Sequence, residues 1–192
     1  MMRWLTLYLR SRSVPAALAT VITATAALWW LGTTIDDPRI HDTLALLAVL
    51  TGVAATAPGL AGADPDLDRT AAIAWPPRRA THLILAGAII TSLVTLTHTG
   101  PVLRNVTGLV GLIALGVATI GASRAVLLPV IWTVFALRFA PPLGAPPTGP
   151  GYQVLLTWMV QPGHTTPATV TAVLLGLAGT ITYSVHGPGN RW

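Results

Sequence analysis

Val106 to Ala140 reads VTGLVGLIALGVATIGASRAVLLPVIWTVFALRFA, with Arg124 and Arg138 as its charged residues. One helix over that run would measure roughly 52 Å at 1.5 Å per residue. The hydrocarbon core of a bilayer is only ~30 Å thick. Ser123-Arg124 is therefore expected to mark a tight turn between two membrane spans, Val106–Ala122 and Ala125–Ala140. Arg124 then sits at an interface, where its long stem lets the guanidinium reach water.

Working outward, four more apolar stretches approach the ~20 residues that a membrane helix needs. They are Val14–Gly32, Thr43–Gly62, Ala80–His98 and Pro167–Val185. The expected fold is an all-α membrane protein with six transmembrane helices. The composition agrees: 53% of residues are hydrophobic and 9% charged, where a soluble domain is about a quarter charged. A water-soluble globule is excluded. The net charge of +5 alone would fit nucleic acid. The Arg residues instead punctuate apolar runs, so membrane lipid is the expected contact and nucleic acid is not. All 11 cationic side chains are Arg and all 6 anionic ones are Asp. The chain has no Cys, which excludes disulfides, thiolate metal sites and a cysteine nucleophile.

Arg placement sets the direction of the spans. With the N-terminus inside, the cytoplasmic face carries Arg3, Arg10, Arg12, Arg69, Arg78, Arg79, Arg124 and Arg191. The outer face carries Arg39, Arg104 and Arg138, offset in the first outer loop by Asp36, Asp37 and Asp42. This predicts both termini inside. In residues 1–13, Trp4, Leu7 and Tyr8 share one helical face while Arg3 and Arg10 lie opposite. That pattern predicts an amphipathic helix on the inner leaflet, with a frayed positive tail as the plainer alternative.

Two loops are informative. Residues 63–79 read ADPDLDRTAAIAWPPRR. Asp64 suits an N-cap, Pro65 the first helical position, and Asp66 and Asp68 the positive end of the helix dipole. Trp75-Pro76-Pro77 is expected to end that helix, and Arg78 and Arg79 to anchor the next span. Leu67, Ala71 and Ala74 form a small apolar stripe that could dock in a partner groove, unless the segment is a solvated loop with one helical turn. Residues 141–166 lie outside. Their Pro/Gly-rich start cannot be regular helix, and Tyr152–Gln161 (YQVLLTWMVQ) is apolar but too short to span. The segment is either a re-entrant half-helix or an interfacial helix flat on the membrane. Both readings put Tyr152 and Trp158 near the outer headgroups.

This organisation resembles the transmembrane subunit of a type-2 ABC exporter, the ABC-2 permease family (type V exporter fold), in an actinobacterial-like composition. The most specific match is Asp66-Leu67-Asp68-Arg69-Thr70 followed by Arg78-Arg79, which is similar to the family's cytoplasmic coupling helix. The resemblance implies that Asp64, Asp66, Leu67, Asp68, Arg69 and Ala71 contact a separate ABC ATPase subunit. It further implies that residues 2–12 form a connecting helix, that Tyr152–Gln161 is the outer re-entrant element, and that a second permease copy or paralogue completes the transporter. The family often carries Glu in the coupling region, where this chain has only Asp. A bacterial plasma membrane location follows from the same resemblance.

The residues carry no catalytic set of their own. A P-loop needs a Lys, and there is none; ATP and Mg would belong to the partner subunit. No Asp falls within a predicted span, which argues against proton coupling. His41, His82, His98, His164 and His186 lack metal-ligand spacing, so no metal is expected. Thr20, Thr23 and Ala27, then Ala48, Gly52 and Thr56, then Ala114, Ala118 and Ala122, then Ala172, Gly176 and Thr180 lie at helical intervals. These serve packing inside the subunit, or a dimer seam or substrate path. Pro129 is expected to kink the middle of span five. Asn105-Val106-Thr107 matches a glycosylation sequon but abuts a span. The expected function is an exporter permease for a lipid, peptide or antibiotic. The alternative is a non-transporting scaffold or immunity protein.

Overall fold

A computed structural model describes residues 13–61, 75–140 and 151–189. These contain α1 (Val14–Gly32), α2 (Pro38–Ala61), α3 (Trp75–Thr95), α4 (Val102–Ile120), α5 (Leu127–Arg138), α6 (Gly151–Leu156), a 3-10 turn (Trp158–Val160) and α7 (Thr166–His186). Among the described residues there is no strand. Four helices, α1, α2, α4 and α7, are long and apolar enough to cross a membrane.

Proline and glycine set several helix limits. α1 and α7 each carry Pro in the first turn, where the missing amide costs nothing. α4 ends at Gly121 (φ 84°) and α7 at Gly187 (φ 70°), and the Gly187 amide donates back to the Tyr183 carbonyl at 2.8 Å. α3 departs from expectation for the same reason. Trp75-Pro76-Pro77 opens it, since proline fits a first turn as well as it breaks a preceding helix. The span therefore starts before Ala80 and ends at Thr95, short of His98.

The turn at Ser123-Arg124 is present: residues 122–126 form turns between α4 and α5. Two corrections accompany it. α5 has 12 residues, about 18 Å of helix, so it is shorter than the expected span Ala125–Ala140. Pro129 falls in its first turn instead of its middle, so it does not kink the helix. α4 begins at Val102 rather than Val106, which draws Arg104 out of the predicted loop and into the bundle.

α4 is the central helix, with 67% of its apolar window buried, whereas α1 is peripheral at 11%. α7 lies closest to α4, and glycine is the reason. A β-carbon on Gly111 would overlap the Leu175 carbonyl of α7, and one on Gly179 would overlap the Gly111 carbonyl. Gly176 sits over Thr107, whose methyl would lie 2.7 Å from an added β-carbon. Large side chains on α7 point the other way: Val170, Val173, Leu174, Leu177, Ile181 and Val185 are exposed. Small residues inward and large ones outward suit a helix solvated by lipid. The Ala172 and Gly176 positions predicted from spacing do pack inward, but within the subunit, and Gly179 rather than Thr180 continues the seam.

Contacts define two ends of the bundle. At one end the Tyr183 hydroxyl donates to the Leu60 carbonyl at 2.6 Å, Arg79 donates to the Ser184 carbonyl at 3.5 Å, and the Gly189 amide donates to the Val117 carbonyl at 2.9 Å. The last turns of α2, α4 and α7 thus meet the start of α3. At the other end, Gly32 packs against His41 and Leu44, Gly100 lies beside Asp42, and α4 begins. Tyr183 is 1% exposed. Tyr183→Phe leaves the Leu60 carbonyl without that donor and is expected to cost about 1–2 kcal/mol, read as a lower thermal midpoint in detergent.

Candidate functional site

The second end holds most of the buried polar chemistry described in the chain. Arg104, in the first turn of α4, is 7% exposed. Its guanidinium donates to the Pro162 carbonyl at 2.9 Å and the Gln161 carbonyl at 2.5 Å. The neighbouring Asn105 donates through Nδ2 to the Met159 carbonyl at 3.1 Å. Two consecutive residues of α4 thus hold three carbonyls around the end of the 3-10 turn, of which that of Pro162 also accepts from the Thr165 amide at 3.1 Å. From the other side, Trp132 of α5 donates to the Leu156 carbonyl at 2.9 Å, capping the short helix α6.

The segment from α6 to Gln161 is thus folded into the bundle. Trp158 is fully buried and lies over Gly108, where a β-carbon would overlap its indole ring. Gly108 offers a slot that the aromatic ring fills, so Trp158 is packed among helices rather than exposed at the surface. Tyr152, on the first turn of α6, is 66% exposed and free to sit at a surface.

Next to this clamp lies a cavity of about 740 Å³. Leu46, Val49 and Met159 give it apolar walls, Asn105 and Gln161 give it polar ones, and the exposed Arg39 and Asp42 also line it. The volume is in the range that holds a drug-sized ligand. The orientation of the Asn105 carboxamide is dictated by chemistry. The Met159 carbonyl can only accept, so Asn105 must offer it Nδ2. The Thr157 hydroxyl spends its one proton on the Gln153 carbonyl at 2.7 Å, so it accepts from Gln161 Nε2 at 2.8 Å. Asn105 Oδ1 and Gln161 Oε1 are then acceptors without a hydrogen-bond partner in the protein. Nearby, His98 is 6% exposed. Burial first and repulsion from His41 second lower its pKa below the usual 6.5, so its ring is neutral at pH 7.

Other residues singled out from the sequence are placed as follows. Arg79 is half-buried, joins α3 to α7 and lies 5.9 Å from the Trp75 ring. Arg78 and Arg124 are exposed at helix starts and turns. Asp64, Asp66, Leu67, Asp68, Arg69 and Ala71 lie outside the described residues, as do Arg3, Arg10 and Arg12. Asn105, the sequon residue, is buried at 6% exposure and committed to the clamp. Sequence reasoning missed Arg104, Asn105, Gln161 and Gly108 as a group. The available signal was an Arg-Asn pair at the head of a long apolar run, far from any carboxylate in sequence.

Long apolar helices whose large side chains face outward around a glycine-packed interior define a multi-pass helical membrane protein. No protein-family model, curated protein or solved structure matches this chain.

Proposed function

We propose that this chain is the permease subunit of an ATP-driven ABC exporter in a bacterial plasma membrane. It would work with a second permease copy or paralogue and with separate ATPase subunits that bind ATP and Mg. The substrate class is an amphiphile such as a lipid, peptide or antibiotic. Six crossings with both termini inside belong to this reading, with α3 and the short α5 as the two crossings beyond the four long apolar helices.

The observation that carries it is a continuous mechanical path. The segment between Ala61 and Trp75 joins the end of α2 to the start of α3. Both points are hydrogen-bonded to the last turns of α7, through Tyr183 and Arg79. α7 is locked to α4 by backbone contact at Gly111 and Gly179. α4 in turn holds the Met159–Pro162 segment through Arg104 and Asn105. A push on the acidic connector would therefore reach the far end of the bundle through rigid, directly packed elements.

Affinity purification in mild detergent from the native membrane tests this. A nucleotide-binding subunit is expected to co-purify in stoichiometric amount and to fall at least about tenfold with Leu67→Asp or Arg69→Asp, about 1.4 kcal/mol or more of docking energy. A stable protein that captures no ATPase would favour the non-transporting scaffold or immunity reading.

A further inference from the structure

The connection between α3 and α4 holds a buried titratable group. We propose that His98 is an acid-released latch: its neutral ring pins residues 96–101 to the bundle, and a proton on that ring frees them and opens the adjoining cavity. This device stands independently of the permease reading.

His98 lies outside both helices, yet it is only 6% exposed. Its ring nitrogen Nε2 is buried without a hydrogen-bond partner among the described residues. A neutral imidazole tolerates this, because one of its two nitrogens carries no proton. An imidazolium carries a proton on both, so Nε2 would have to donate where nothing accepts. Burying a charge without a partner costs more again. The residues that follow, Thr99, Gly100 and Pro101, line the cavity together with Asn105 and Met159. The buried ring therefore anchors the stretch of chain that forms one side of the cavity.

The charges around this connection do not rescue the protonated ring. On α2, Arg39 and His41 bring positive charge and Asp42 a carboxylate, all three exposed. Asp42 Oδ1 lies 3.4 Å from where a β-carbon on Gly100 would stand, but water screens an exposed carboxylate while Nε2 is dry. On α4, Arg104 adds a second cation. α1 and α3 bring no charge to this end, and Asp36, Asp37, Arg138 and His164 are exposed. Burial, and then repulsion from His41, hold the His98 pKa below the usual 6.5. A lowered pKa means that the closed form binds fewer protons than the released one. The latch is therefore at full strength above pH 6.5 and is lost as pH falls below it.

The test uses the full chain in phosphatidylcholine nanodiscs. The chain has no Cys, so Met159→Cys places a single thiol in the cavity lining at a position 2% exposed. Its rate of labelling by a membrane-impermeant methanethiosulfonate is divided by that of Gly163→Cys, an exposed position, at the same pH. The division offsets the titration of the thiol itself. From about pH 7.5 to about pH 5 the ratio should rise at least about fivefold, with a midpoint below pH 6.5. Adding His98→Phe, a ring that takes no proton, should keep the ratio flat. Adding His41→Gln, a change at an exposed side chain, removes the repulsion and should move the midpoint to higher pH. A ratio that stays flat with His98 present, an equal rise with His98→Phe, or a midpoint that stays or falls with His41→Gln would each overturn the proposal. Should His98→Phe fail to fold, the curve with His98 present and the direction of the His41→Gln shift decide.

Discussion

Gly111→Ala is expected to prevent assembly of the bundle, with little monodisperse protein recovered in detergent and a collapsed thermal midpoint in what remains. The added methyl would meet the Leu175 carbonyl and the Gly176 backbone. Neither is a flexible side-chain end that can rotate away, so α4 and α7 must separate along their length. Overpacking costs typically about 1–3 kcal/mol and sometimes more, and a contact against main chain belongs at the upper end. Gly179→Ala should behave the same way, because its methyl meets the Gly111 carbonyl from the other side. Gly163→Ala is the control: nothing lies within 4 Å of its added carbon, so its midpoint should match the parent. A Gly111→Ala protein as stable as Gly163→Ala would mean that α4 and α7 are not in backbone contact.

The second large effect concerns Arg104. Arg104→Ala removes two charge-assisted hydrogen bonds and leaves the Gln161 and Pro162 carbonyls without those donors. Each such bond is worth about 1.5–3 kcal/mol, so the segment around Gln161 should open while the helices stay packed. The absence of Cys from the chain offers a direct readout. Met159 is 2% exposed, so Met159→Cys should resist a membrane-impermeant maleimide. In the Arg104→Ala background the same thiol should label readily. Arg104→Lys should be intermediate, since one ammonium cannot reproduce the planar fork that reaches two carbonyls. Equal labelling in all three backgrounds would show that Arg104 does not hold the segment.

Much of the architecture was legible in the residues because lipid imposes a simple rule: apolar stretches of sufficient length become helices. α1 coincides with the expected Val14–Gly32, and the Ser123-Arg124 turn lies where the length of the run demanded a break. Boundaries slipped where proline has two meanings. Trp75-Pro76-Pro77 can end one helix and begin another, and the structure shows that it begins α3. Counting Arg as a loop residue failed at Arg104. A guanidinium at the end of an apolar run snorkels to water or serves backbone carbonyls brought in by folding, and the run itself is identical in the two cases. The burial of Trp158 could not be read from the sequence either, because the slot that receives it is the missing side chain of Gly108, distant in sequence.

Composition and apolar run length were thus enough to establish a helical membrane protein without thiol chemistry or a P-loop lysine of its own. Which glycines touch across α4 and α7, and which carbonyls Arg104 and Asn105 satisfy, emerged only on folding. So did the cavity that Asn105 and Gln161 help to line. Burial in lipid depends on each residue's own polarity and its neighbours in the chain. Close packing and hydrogen-bond pairing depend on partners from other helices, brought together by the fold alone.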